Sequence, residues 1–544
     1  MPLKKWIASP ASAPNFDYAA LFAFVFAVNL PFLGKAYTMD EPVFLAVARQ
    51  IAAHPLHPLA FGFNWYGELL PAAQLFMHSV LVSYLMAPLF YLTRGSEALM
   101  RLALLPVDLA SAGALYWLAS RFLKKPLLPT LVILATPSFF INMPLLMAEK
   151  WIVCLTFLSL CAMLRAEEQD EVRWELASAG FAALAIMIKH TAVFLPLILL
   201  FQLRRRRVPF RRIAACMALV AVPVLIDDFL LEPWRFSANM QLITTSDTLH
   251  HLRSFLSFIG GCGVVTLFWP YARAGSPPWR YLIMLAACLA AALLLFSPFS
   301  FPADQRIRVV DRAMGIFLSC SALMTLARLF EPESRKLPGW SIWMVWILAD
   351  AGMLLAARYY ISARSMMFLL PPLILALAAR LEAYWDPALL RRVLLSSLAG
   401  TLALTAGLAY IDARYAGAQR DLARQIKSSF LDQGRTVWIL GHWGFQYYLE
   451  GVGARSMDAA LGGWGAVKPG DIVVAPRVNT VVIPHSSPVL ALHPNVTVES
   501  AVPLRLMNYD RGQAGFYSDM FGFLPYSISR EPIDEFRFGV QGGR

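Results

Sequence analysis

Long apolar runs alternate with short charged stretches over the first three quarters of the chain, and most runs are long enough to read as bilayer-spanning helices. About thirteen spans are predicted, near residues 18–34, 100–119, 127–143, 151–165, 175–188, 191–203, 213–231, 254–270, 279–297, 313–328, 340–357, 365–380 and 393–410. Lys4 and Lys5 precede the first run and no small-x-small cleavage pattern follows it, so it is read as a retained span with its N-terminus inside. Residues 73–93 are also apolar, but counting them as a span would put the run Arg204 to Arg207, with Arg211 and Arg212, on the outer side. The positive-inside bias therefore makes 73–93 a helix lying on the outer membrane surface.

After residue 410 the pattern changes. Apolar runs shorten, and Gly, Asp and Asn become frequent. Thr436 to Leu440 and Asp471 to Ala475 read as strands, with a short helix from Phe445 to Gly451 between them. The expected fold is an α-helical polytopic membrane protein, 1–410, followed by a small α/β domain, 411–544. An odd number of spans puts that domain outside, on the periplasmic side.

Composition agrees with the membrane reading. The 544 residues are 58% apolar and 15% charged, against about 45–50% and about 25% in soluble domains. The net charge of +12 comes from runs between apolar segments rather than from a basic face interleaved with aromatics, so nucleic acid is not an expected partner. The six cysteines lie in or beside apolar stretches and predict neither a disulfide framework nor a cysteine metal site. There is no Walker motif, Gly-rich nucleotide loop or Gly-x-Ser-x-Gly elbow.

Candidate chemistry gathers where the spans meet the outer side. The first outer loop, with surface helices over about 35–99, carries Asp40-Glu41-Pro42 ahead of a helical pattern, and then His54 and His57. Asp40 suits either a helix N-cap or a general base. Glu149 opens a later span on the same side, and two such carboxylates can converge on one cleft. Lys189-His190, Arg358, Arg364, His78 and the group Arg306, Arg308 and Arg312 place cations there, against the insertion bias. They fit a phosphate headgroup, or they snorkel to lipid phosphates. His54 and His57 are spaced three apart, but their flanking prolines argue against a regular helix and no third ligand stands nearby, so no metal site is indicated.

From Met39-Asp40-Glu41 to Ile51 the sequence resembles the GT-C superfamily of membrane glycosyltransferases. It is most similar to the branch of protein O-mannosyltransferases and lipid A aminoarabinose transferases (glycosyltransferase family 39-like). The resemblance continues through His78-Ser79-Val80-Leu81, Arg101-Leu102, Glu149, Lys189, Ala357-Arg358-Tyr359, Pro371-Pro372 and Gly441 to Tyr448. Ser79-Val80 stands where the family has Pro-Pro, and Glu149 where it usually has Asp. The resemblance implies a GT-C fold and transfer of a monosaccharide from a polyprenyl-phosphate sugar to a hydroxyl of a lipid, glycan or protein. The site would lie at the outer face of a bacterial cytoplasmic membrane, and no cofactor would be required. Asp40 would be the base, with Glu41 and Glu149 supporting it or positioning the acceptor. His78, Lys189 and Arg358 would meet the leaving lipid phosphate, with Arg364, His54 and His57 on the substrate side. A transporter or lipid flippase, or a noncatalytic envelope-assembly protein, is the alternative; flippases often show interrupted mid-membrane helices, whereas the polar residues here collect at one face.

Overall fold

The computed structural model describes residues 15–76, 79–231, 248–263, 278–301, 307–356, 360–479, 490–492, 494–510 and 512–541. Each predicted span meets a helix. Among the described residues five helices are long and apolar enough to cross a membrane: Asn15–Phe32, Glu97–Ser120, Val309–Leu329, Met366–Tyr384 and Pro387–Gln433. The described residues open with α1 (Asn15–Asn29) and α2 (Glu41–Ala53), followed by a hairpin of β1 (Gly62–Asn64) and β2 (Leu69–Pro71). A turn of helix, α3 (Ala72–Leu75), then leads to α4 (Leu81–Thr93). At 13 residues α4 spans about 20 Å, short of the ~30 Å hydrocarbon core, and it packs on α2.

Next come α5 (Glu97–Ser120), α6 (Leu127–Ala135), α7 (Pro137–Asn142), α8 (Ala148–Gln169), α9 (Val172–Ile188), α10 (Phe194–Arg205) and α11 (Phe210–Ile226). The predicted span 127–143 is two helices. Thr136 precedes Pro137 and is extended, with φ −59° and ψ 149°, because the proline ring excludes the helical conformation from the residue before it. Then α12 (Thr248–Cys262), α13 (Pro278–Leu295), α14 (Val309–Leu329) and α15 (Trp340–Ala356) lead to α16 (Met366–Tyr384). Every residue of α16 from Met366 to Leu381 is buried, which marks it as the central helix of the bundle.

The predicted boundary at 410 falls inside one helix, α17 (Pro387–Ser429), which is 43 residues long. Its start is well capped: Pro387 takes the first turn, and the Asp386 carboxylate accepts from the amides of Ala388 at 2.8 Å and Leu389 at 3.2 Å. Past it, β3 (Val437–Ile439), α18 (Trp443–Gly451), β4 (Arg455–Ser456) and β5 (Ile472–Pro476) follow the predicted strand–helix–strand order. The sheet runs β4-β3-β5 in parallel. It is completed by β6 (Leu490–Leu492), β7 (Val496–Val498) and the long antiparallel β10 (Asp534–Gln541), while β8 (Leu504–Arg505) pairs β9 (Ser527–Ile528) separately.

Candidate active site

Met39 is in the left-handed region at φ 51° and is 2% exposed, a conformation that a side-chain residue holds only where its surroundings enforce it. This turn brings the chain into α2 at Asp40. Asp40 is at the N-cap position but makes no side-chain capping bond. Its Oδ2 accepts instead from Arg364 Nη1 at 3.3 Å, and the side chain remains 31% exposed.

Arg364 precedes the central helix α16, and the same Nη1 lies 3.9 Å from Glu149 Oε1. Glu149 is in the first turn of α8, where the helix dipole favours a carboxylate. Lys189, in the extended residue that ends α9, donates to the same Glu149 Oε1 at 2.7 Å. Asp40, Arg364, Glu149 and Lys189 thus form one chain of alternating charge, drawn from four separate elements. At the far ends of these helices the arginines collect: Arg205 pairs Glu167 at 2.9 Å, Arg206 and Arg212 pair Glu175 at 3.0 and 2.7 Å, and Arg328 pairs Glu331 at 3.0 Å.

Glu41 requires a correction. It is fully buried, and its oxygens accept from Thr38 N at 2.8 Å, Leu146 N at 2.9 Å and Arg101 Nη2 at 3.2 Å. Its hydrogen bonds go to protein donors, and it has no exposed surface beside Asp40. It closes the start of α2 and ties the loop before α8 to it. Arg101 completes the knot by donating to the carbonyls of Lys35 at 2.6 Å and Pro144 at 3.0 Å.

His54 and His57 are not brought to this cluster. They are exposed beyond the other end of α2, with His54 about 20 Å along its axis from Asp40. Arg308 pairs Asp311 at 2.8 Å. His78, Arg358 and Arg306 lie outside the described residues.

Tyr66, Asp519 and Asp228 escaped the sequence reading. The β1–β2 hairpin carries Tyr66, whose pKa is raised by burial first and then by Asp40 and Tyr360. The hairpin is clamped to the C-terminal domain. Trp65 stacks on His442 at 4.4 Å between centroids, and His442 Nδ1 donates to Trp65 O at 2.9 Å. Because a carbonyl only accepts, that nitrogen carries the proton. Burial pushes the His442 pKa down to about 3.

The motif around it is shaped by close approach: a Cβ on Gly444 would stand 2.2 Å from Tyr37 O. Asp519 braces the other side of the site. Its Oδ1 accepts from Ile361 N at 3.1 Å, and its amide donates to Ile361 O at 2.8 Å, holding the segment that leads to Arg364. Next to Lys189, His190 Nε2 meets Asp228 at 2.9 Å. Two adjacent carboxylates inside the apolar run 213–231 were the readable signal for that pair.

Residues 77–226 match the family model described as dolichyl-phosphate-mannose-protein mannosyltransferase. The matched segment includes Glu149 and Lys189, while Asp40, Asp228 and Arg364 lie outside it. Among solved structures the chain is similar to ArnT from Cupriavidus metallidurans bound to undecaprenyl phosphate, at 15% identity over 86% of this chain and 93% of that one, with a TM-score of 0.42. It is also similar to the arabinofuranosyltransferase AftD from Mycobacteria (13%, 97% and 40%, TM-score 0.46). A third is the archaeal oligosaccharyltransferase AglB from Archaeoglobus fulgidus in complex with an inhibitory peptide and a dolichol-phosphate (11%, 86% and 70%, TM-score 0.42). No curated protein matches the sequence.

Proposed function

We propose that the protein is a membrane glycosyltransferase of the GT-C type, which moves a monosaccharide from a polyprenyl-phosphate donor to an acceptor hydroxyl at the outer face of a bacterial cytoplasmic membrane. The observation that carries this is the alternating chain Asp40–Arg364–Glu149–Lys189, in which the partly exposed Asp40 pairs with Arg364 and Glu149 links Arg364 to Lys189. In this reading Asp40 accepts the proton of the acceptor hydroxyl as its oxygen attacks the anomeric carbon. The bond from that carbon to the phosphate oxygen breaks with inversion, and the phosphate leaves with the electron pair. Arg364 and Lys189 meet its charge. Glu149 touches both cations and sets their spacing. A phosphate is a good leaving group, so neither a separate general acid nor a cofactor is required.

The test is turnover of purified protein with radiolabelled polyprenyl-phosphate monosaccharides and membrane extract as acceptor source. Asp40→Asn keeps the shape of the side chain and its contact distance to Arg364 but removes its basicity. A general base contributes ~10²–10⁴ in rate, so the folded variant should lose that factor. Full turnover in folded Asp40→Asn protein overturns the assignment.

A further inference from the structure

A concavity of about 700 Å³ lies between α2 and α18. It follows the face of α2 that includes Pro42, Arg49, Gln50 and His54, a helical stripe about 18 Å long. Its volume falls within the range of small-molecule sites. Aromatic side chains line it from both sides, Phe63 from the hairpin and Tyr447 from α18, each only partly buried.

The polar lining is sparse and balanced, with Arg49 as its cation and Glu450 as its anion. Gln446, on the same wall, is 3% exposed. Its Nε2 donates to Asn64 O at 2.6 Å and to Glu450 Oε1 at 2.9 Å. Both partners are acceptors, so the orientation of the amide is settled, and its Oε1 is left without a hydrogen-bond partner among the described residues. A buried acceptor in that state awaits a donor. The wall is coupled to the loop that precedes Asp40, because Tyr448 Oη on α18 accepts from Tyr37 N at 2.7 Å.

We propose that this cleft binds a neutral carbohydrate, the sugar portion of the acceptor. Ring faces of Phe63 and Tyr447 suit the C–H faces of pyranose or furanose rings, and a hydroxyl donor satisfies Gln446 Oε1. The single cation offset by a single anion disfavours a phosphate headgroup. Calling the bound sugar the acceptor rests on the glycosyl-transfer reading above; the binding itself does not.

The test therefore uses Asp40→Asn protein in detergent, so that binding is read without transfer. Saturation-transfer NMR is run with a panel of neutral oligosaccharides built from hexose, 6-deoxyhexose, pentose and N-acetylhexosamine units. At least one member should bind. Its affinity should fall ten-fold or more in the added variants Gln446→Leu and Arg49→Ala. Arg49 is exposed and takes no part in holding the hairpin, so its loss of binding is not a folding effect. If no panel member binds, if both variants bind as before, or if only phosphate-bearing headgroups compete, the proposal is overturned. If a sugar binds while wild-type protein transfers nothing from any polyprenyl-phosphate donor, the cleft stands and the transfer reading fails.

Discussion

Arg364 Nη1 lies 3.3 Å from Asp40 Oδ2 although 324 positions separate the two residues. The same nitrogen reaches toward Glu149, so one guanidinium keeps two carboxylates apart and aimed. An arginine at this place is both a clamp and a cation that a phosphate can approach.

Arg364→Ala should leave Asp40 and Glu149 facing each other without the cation between them. Turnover should fall by about 10² or more, a loss of the size that misplaced catalytic groups produce. Arg364→Lys should recover only part of it, since a compact ammonium on a different stem does not reproduce the position of the planar guanidinium between the two acids. Steady-state kinetics on both variants read this, and unchanged kcat in Arg364→Ala refutes it.

The Glu41–Arg101 pair is buried on both sides, at 0% and 1% side-chain exposure. Removing one partner of such a pair costs ~3–5 kcal/mol, because the other charge stays buried without its counter-ion. Glu41→Gln and Arg101→Ala should therefore lower the melting temperature in detergent sharply. The folded fraction of Glu41→Gln should keep more activity per molecule than Asp40→Asn. Normal melting together with abolished turnover would return Glu41 to the chemistry.

His442 makes the attachment of the hairpin sensitive to acid. Its folded pKa is depressed to about 3 from the ordinary 6.5, so the unfolded chain binds the proton more readily between those values. The stabilisation is complete above pH 6.5 and declines as pH falls toward 3, by at most ~1.4 kcal/mol per pH unit. Hydrogen exchange of residues 62–71 should quicken as pH drops below 6.5, after correction for the intrinsic rate. His442→Phe keeps an aromatic face for Trp65 and should abolish that pH dependence. An identical dependence in His442→Phe would assign the effect elsewhere.

Helix α10 starts beside Lys189 and His190 and ends at Arg205, which predicts a sidedness. Single cysteines at Arg206 and at Ser428, in an otherwise cysteine-free protein, should label from opposite faces of sealed vesicles with a membrane-impermeant maleimide. Labelling of both from one face contradicts the one-sided site and the mechanism built on it.

The helical segments were legible because bilayer spanning needs long apolar stretches whose polar breaks and arginine runs stand out in one dimension. The strand–helix–strand order after residue 436 was legible for a related reason, since short alternating patterns bounded by glycine have few other readings. Asp40, Glu149, Lys189 and Arg364 could be picked out as ionisable residues at the ends of apolar runs. Their partners could not. Nothing in the order of residues says that Glu41, adjacent to Asp40, turns inward to Arg101 while Asp40 turns to Arg364. A helix places consecutive side chains about 100° apart, and only the packing of α5 and the loop before α8 decides which of the two faces protein. Local pattern and solvent set the helices, their lengths and the ends where charge gathers. The pairing of those charges and the cleft between α2 and α18 arise from contacts between segments far apart in the chain, up to several hundred residues. Those contacts depend on how whole helices pack, and no local sequence pattern encodes that.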